Sequence, residues 1–85
     1  MGKEKRVLKW IQSYLERIDE HFDKFDDAYQ KGDKWLLKHY IKEIDFSFFG
    51  NIQKVSSKLR ISSQLEQHIL DRKKKRDERK NLPLN

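Results

Sequence analysis

Residues 8–29, LKWIQSYLERIDEHFDKFDDAY, decide the fold. Leu8, Leu15, Phe22 and Tyr29 recur every seven residues, and Ile11, Ile18 and Phe25 each follow three residues behind. Alternating steps of three and four lay one apolar seam along a helix for three heptads. Val7, Trp10 and Tyr14 widen that seam at its start. A helix of this kind cannot shelter its seam alone. It needs later parts of the chain or a second copy.

Working outward, the first helix is predicted from about Lys3 to Lys31. Gly32 suits its C-terminal cap, because glycine takes the left-handed conformation at little cost. Asp33 suits the next N-cap, so the pair reads as a tight turn between antiparallel helices. The second helix is expected over Lys34 to about Phe49, with Trp35, Leu36, Leu37, Tyr40, Ile41, Ile44 and Phe48 as a broad buried face. Gly50 and Asn51 read as its end. Further on, Ile52, Val55 and Leu59 share one helix face, while Leu65 and Ile69 fall roughly opposite if no break intervenes. A break near residues 60–63 removes the conflict. It gives a third helix over 51–59 and a fourth over 64–80, with Ser63 as N-cap and Glu66 closing a capping box. The competing reading is one long helix buried on two sides. Residues 81–85, with Pro83 among them, read as a frayed tail.

The expected fold is therefore all-α: a small bundle of three or four helices in a single domain over residues 3–80. The long N-terminal helix lies antiparallel to the second, followed by a helical hairpin or one long C-terminal helix. Twenty-nine residues make a rod of about 43 Å, and the second helix is about half as long. The uncovered end then calls for the fourth helix or for another subunit, which would make a homodimer.

Apolar residues are 35% of 85, so the core is small. Charged residues reach 40% and the mean hydropathy is −1.06. Those values alone would suit a disordered chain, but the regular apolar spacing opposes that reading. The absence of cysteine excludes disulfides and thiolate metal sites. No apolar secretory region follows the basic start, and no stretch is long enough to span a bilayer. Arg6 stands where a myristoylation signal has Ser or Thr. These features predict a cytoplasmic protein without a membrane partner.

The net charge of +6 is unevenly spread. Residues 1–15 carry +3, 16–33 carry −4, 34–58 carry +3 and 59–85 carry +4. Such segregation steers polyanions to one face. Catalysis gets little support. His21, His39 and His68 read as surface residues, and the glycines at 2, 32 and 50 form no phosphate loop. Asp19, Asp23 and Asp26 or Asp27 share a solvated acidic face, whose rigid helical spacing gives calcium too few oxygens. The expectation is a non-enzyme with no cofactor and no metal.

The signals for nucleic acid, DNA or RNA, are better. Lys34, Lys38 and Lys42 recur every four residues and form a stripe that could follow a phosphate backbone. Arg72, Lys73, Lys74, Lys75 and Arg76 are five consecutive cations. On a helix they point all round, beyond what one protein surface would neutralise, and such runs bind nucleic-acid backbone without reading sequence. Residues 52–70 resemble the helix-turn-helix pattern: Val55 and Leu59 inward on the first helix, Ile61 in the turn, Ser62 or Ser63 capping the second. That resemblance implies that Gln64, Gln67 and His68 face bases while Lys58 and Arg60 face phosphate. Two departures weaken it, Arg60 where the turn usually holds glycine and Glu66 where an apolar residue is expected.

The alternative is a protein-interaction module, an adaptor or inhibitor of a larger machine. It would bind through Trp10 and Tyr14 on the first helix, or through Phe46, Phe48 and Phe49, a run that reads first as core and second as a contact patch. The size, the lack of cysteine and the lysine content suit a product of phage or another mobile element.

Overall fold

The computed structural model describes residues 2–58 and 60–83, with side chains from residue 5 onward. Helix α1 spans Gly2–Lys31, α2 spans Lys34–Lys42, a π-helical segment spans Glu43–Phe49, α3 spans Gly50–Ser56 and α4 spans Ser63–Lys80. The middle three run on without a break. The molecule is thus an up-down-up bundle of three rods, measuring 49 × 17 × 17 Å.

The seam of α1 is the spine of the core. Ile11, Leu15, Ile18, Phe22 and Phe25 are all buried. Its first part is covered by Ile44, Phe48, Phe49 and Ile52 from the middle rod and by Leu65 and Ile69 from α4. Its last part, Phe25 and Ala28, packs on Leu37, with Leu36, Tyr40 and Ile41 alongside. The chain therefore shelters its own seam from Ile11 to Ala28, while Leu8 and Trp10 at its start stay exposed.

Gly32 has φ +74° and Asp33 Oδ1 accepts from the Leu36 N–H, so the first turn forms as its residues dictate. Gly50 does not end a helix. Its φ is −60°, and its N–H donates to the Asp45 carbonyl five residues back. That wider turn lets Ile44, Phe48 and Phe49 all point inward. The two glycines predict opposite outcomes. Gly32→Ala should cost about 1–2 kcal/mol, because a Cβ is strained at positive φ. Gly50→Ala should stabilise by about 0.4–1 kcal/mol, because its added Cβ meets only the Asp45 carbonyl oxygen at an ordinary 3.7 Å. Thermal melts of the two variants check both signs.

The break falls in the 57–62 loop. Of the two serines expected there, Ser62 and not Ser63 is the N-cap of α4: its Oγ accepts from the Leu65 N–H at 3.1 Å. Glu66 thus lies one residue past the capping-box position. Helix α4 then returns antiparallel to the middle rod and parallel to α1. Its Arg72–Asp19 and Arg79–Asp26 pairs share one offset of 53 residues, as parallel helices require. This long hairpin is not a helix-turn-helix, whose second helix crosses the first steeply after a short turn. Leu59, placed on its inner face by that resemblance, lies outside the described residues.

The end of the chain is docked as far as it is described. Leu82 packs against the Phe25–Leu37 cluster, and the Tyr29 hydroxyl donates to the Pro83 carbonyl. Residues 84 and 85 of the expected frayed tail lie outside the described residues. Among the described residues, no helix is long and apolar enough to cross a membrane.

Candidate nucleic-acid interface

The five-cation run divides in two. Arg72 makes a two-pronged contact with Asp19, Nε to Oδ1 at 3.1 Å and Nη2 to Oδ2 at 2.9 Å. Arg79, beyond the run, repeats that geometry on Asp26. Arg76 donates to Asp45 at 3.1 Å and lies over the Phe49 ring at 5.0 Å. Arg79 lies over Phe22 at 4.4 Å, and Lys80 reaches Asp45 at 2.6 Å. The expectation that Arg72 and Arg76 are free for a polyanion is therefore corrected: the protein's own carboxylates hold them. Asp19 and Asp26 are partners in those clasps, yet the acidic face of α1 remains in contact with solvent, since both are nearly half exposed and Asp23 and Asp27 are exposed.

The physical reason lies in register. Leu65, Ile69, Arg72, Arg76 and Arg79 step by four, three, four and three, so the arginines continue the apolar seam of α4. Their stems lie on the core edge and their guanidinium groups reach the flanking aspartates. The same spacing on α1 puts Asp19 and Asp26 one heptad apart beside Phe22. Counting consecutive cations hides this pattern.

Of the three lysines of the run, Lys74 and Lys75 are exposed and Lys73 is half-buried. Lys75 pairs with Asp71 at 3.5 Å on the exposed surface, whereas Lys73 and Lys74 make no ion pair among the described residues. Gln64, Gln67 and His68 are exposed on the first turns of α4. The His68 ring lies beside Arg72 at 3.4 Å. Lys58 and Arg60 are exposed in the 57–62 loop and line a shallow polar depression with Ser56, Ser57 and Glu66. The fold brings this loop to the same end of the bundle as Lys5, Arg6 and Lys9.

The lysine stripe of α2 is exposed along its length. Lys34, Lys38 and Lys42 make no ion pair among the described residues. Lys38 stands over a hollow floored by Phe25, Leu37 and Ile41 and rimmed by Arg79 and Lys80. Lys31 does not join them. Its contact with Asp27, 2.9 Å away, holds its ammonium above the usual lysine range through a hydrogen bond and the carboxylate charge.

Trp35 was expected in the core and is 71% exposed instead. On α2 the buried side chain is Leu37, and Trp35 points nearly the opposite way. Its indole stacks on the His39 ring, with centroids 5.3 Å apart and planes 6° from parallel. Glu43, at the start of the π segment, anchors that ring: Oε1 lies 2.6 Å from His39 Nε2 and Oε2 lies 2.5 Å from His21 Nε2. His21 also donates from Nδ1 to the Arg17 carbonyl and is largely covered, so it is not the surface residue expected. The π segment turns Phe46 outward at 74% exposure. Phe48 and Phe49, proposed partner contacts on sequence grounds, are buried core, and Tyr14 is half-buried against Phe48. Trp10 remains 44% exposed, edge-on to Tyr14.

Among the described residues no cluster of His, Asp or Glu has the arrangement of a metal site. Comparison with protein-family models, curated proteins and solved structures finds no match to this chain, so the functional reading rests on geometry and charge.

Proposed function

We propose that this chain is a small cytoplasmic regulator that binds the backbone of nucleic acid without reading sequence, of the type phage and other mobile elements carry. The observation behind this reading is the stripe Lys34, Lys38 and Lys42: three exposed ammonium groups one turn apart, with no carboxylate partner among the described residues. Helix α4 directs its arginines to acidic groups of α1 and the π segment, so the outward cations include the lysines of α2 and of the α4 run, Lys58 and Arg60 at the loop end, and Lys5, Arg6 and Lys9 beside that end. Ammonium groups one turn apart can lie along successive phosphates and release their counterions.

Anisotropy of fluorescein-labelled DNA and RNA at two salt concentrations tests this. Three phosphate contacts predict an affinity loss of about 20- to 40-fold between roughly 50 and 200 mM salt. Absence of binding at the lower concentration would refute the reading. A second reading, a protein-interaction module, is favoured by the exposed Trp10 beside Tyr14 at one end of α1. It predicts capture of a protein that Trp10→Ala releases and nuclease treatment does not.

A further inference from the structure

We infer that the outer face of residues 35–46 binds single-stranded nucleic acid in particular, with Trp35 and Phe46 as stacking platforms for unpaired bases; this rests on the backbone-binding reading above. Trp35, His39, Lys42 and Phe46 step by four, three and four, so they share one stripe facing away from Leu37, Ile44 and Phe48. Lys38 borders it. The two outward rings are separated by about 16 Å along the helix axis at 1.5 Å per residue. Lysines lie between them. Cations that track a backbone, interleaved with aromatic rings that receive bases, are the two elements of a single-strand binding surface.

The aromatic exposure is built in. Trp35 and Phe46 are each more than 70% exposed, in a chain that buries Phe22, Phe25, Phe48 and Phe49. The Glu43–His39 contact holds the ring on which Trp35 rests, so the indole is presented rather than loose. Phe46 is carried outward by the same π segment that buries Phe48 and Phe49. A duplex cannot use these platforms, because its base faces are covered by neighbouring pairs. A protein partner would match the rings but would have to supply its own carboxylates for the lysines, whereas an unpaired strand satisfies both at once.

The test uses the whole chain with Trp10→Phe, which leaves Trp35 as its only tryptophan. Titration with oligothymidylate of about 10–16 nucleotides should quench Trp35 fluorescence saturably. Oligouridylate should do the same with similar affinity, since base stacking and phosphate contacts are common to both strands. Trp35→Ala and Phe46→Ala, made in the native chain and followed by anisotropy, should each weaken oligothymidylate binding about 5- to 100-fold. Both should leave binding to a blunt duplex of two complementary strands within about twofold. Unchanged circular dichroism and melting would show that these exposed sites left the fold intact. If single strand and duplex bind equally and the aromatic variants weaken neither, or both alike, the single-strand inference is overturned while backbone binding stands. If no nucleic acid binds at low salt, both fall. If Trp35 stays unquenched and Trp35→Ala instead dissociates a dimer seen by sedimentation, the face belongs to a second copy and the inference is overturned.

Discussion

Replacing Arg72, Arg76 and Arg79 together with alanine should destabilise the protein by about 3–6 kcal/mol. Replacing Lys73, Lys74 and Lys75 together should cost less than about 1 kcal/mol. Both triple variants remove the same charge from the same helix. They differ in what the side chains touch. The three guanidinium groups are about one-fifth exposed, but Asp19 and Asp26 are nearly half exposed, so solvent screens those two pairs. Each is worth about 0.5–1 kcal/mol even with its two-pronged geometry. The rings beneath Arg76 and Arg79 add about 0.5–1 kcal/mol each, and burial of the arginine stems adds a similar amount. Small domains lie near the low end of about 5–15 kcal/mol in total stability, so the arginine triple should leave the second half of α4 loosened or the chain largely unfolded. Urea unfolding of the two variants at matched ionic strength checks the contrast. Equal losses would mean that the run is one uniform basic surface.

The second large effect is on binding. Replacing Lys34, Lys38 and Lys42 by glutamine should lower the slope of log affinity against log salt by about two to three, since each phosphate contact contributes about 0.7–0.9. Stability should stay within about 0.5 kcal/mol, because all three side chains are exposed and unpaired among the described residues. The same substitutions at Lys73, Lys74 and Lys75 should change the slope less, because Lys75 is already shared with Asp71. A slope unchanged by the α2 variant and abolished by the α4 variant would move the interface to the C-terminal helix.

The seam of α1 was legible because its heptads run for three repeats and its inward positions from Ile11 to Phe25 are large. The Gly32–Asp33 turn was legible because glycine at positive φ and an aspartate cap leave few alternatives. Gly50 misled because glycine followed by asparagine usually ends a helix. Here an i→i+5 bond carries the helix onward, and the wider turn moves Phe49 to the inside and Phe46 to the outside. A wheel drawn at constant angle cannot place those two rings. Trp35 misled for a related reason: three apolar residues in a row open α2, and only the packing of Leu37 on Phe25 fixes which of them turns in. The arginines of α4 were readable in hindsight from their spacing, which continues that of Leu65 and Ile69. Charge alone said surface, whereas register said edge of the core.

The central claim, that the outward lysines of α2 meet a polyanion while the arginines of α4 hold the bundle together, is tested most directly by amide chemical-shift mapping. Titrating the isotope-labelled protein with oligothymidylate at low salt should shift amides over residues 34–46 and leave those of 72–80 nearly still. Shifts concentrated on Arg72 to Lys80, with loss of their contacts to Asp19, Asp26 and Asp45, would contradict it.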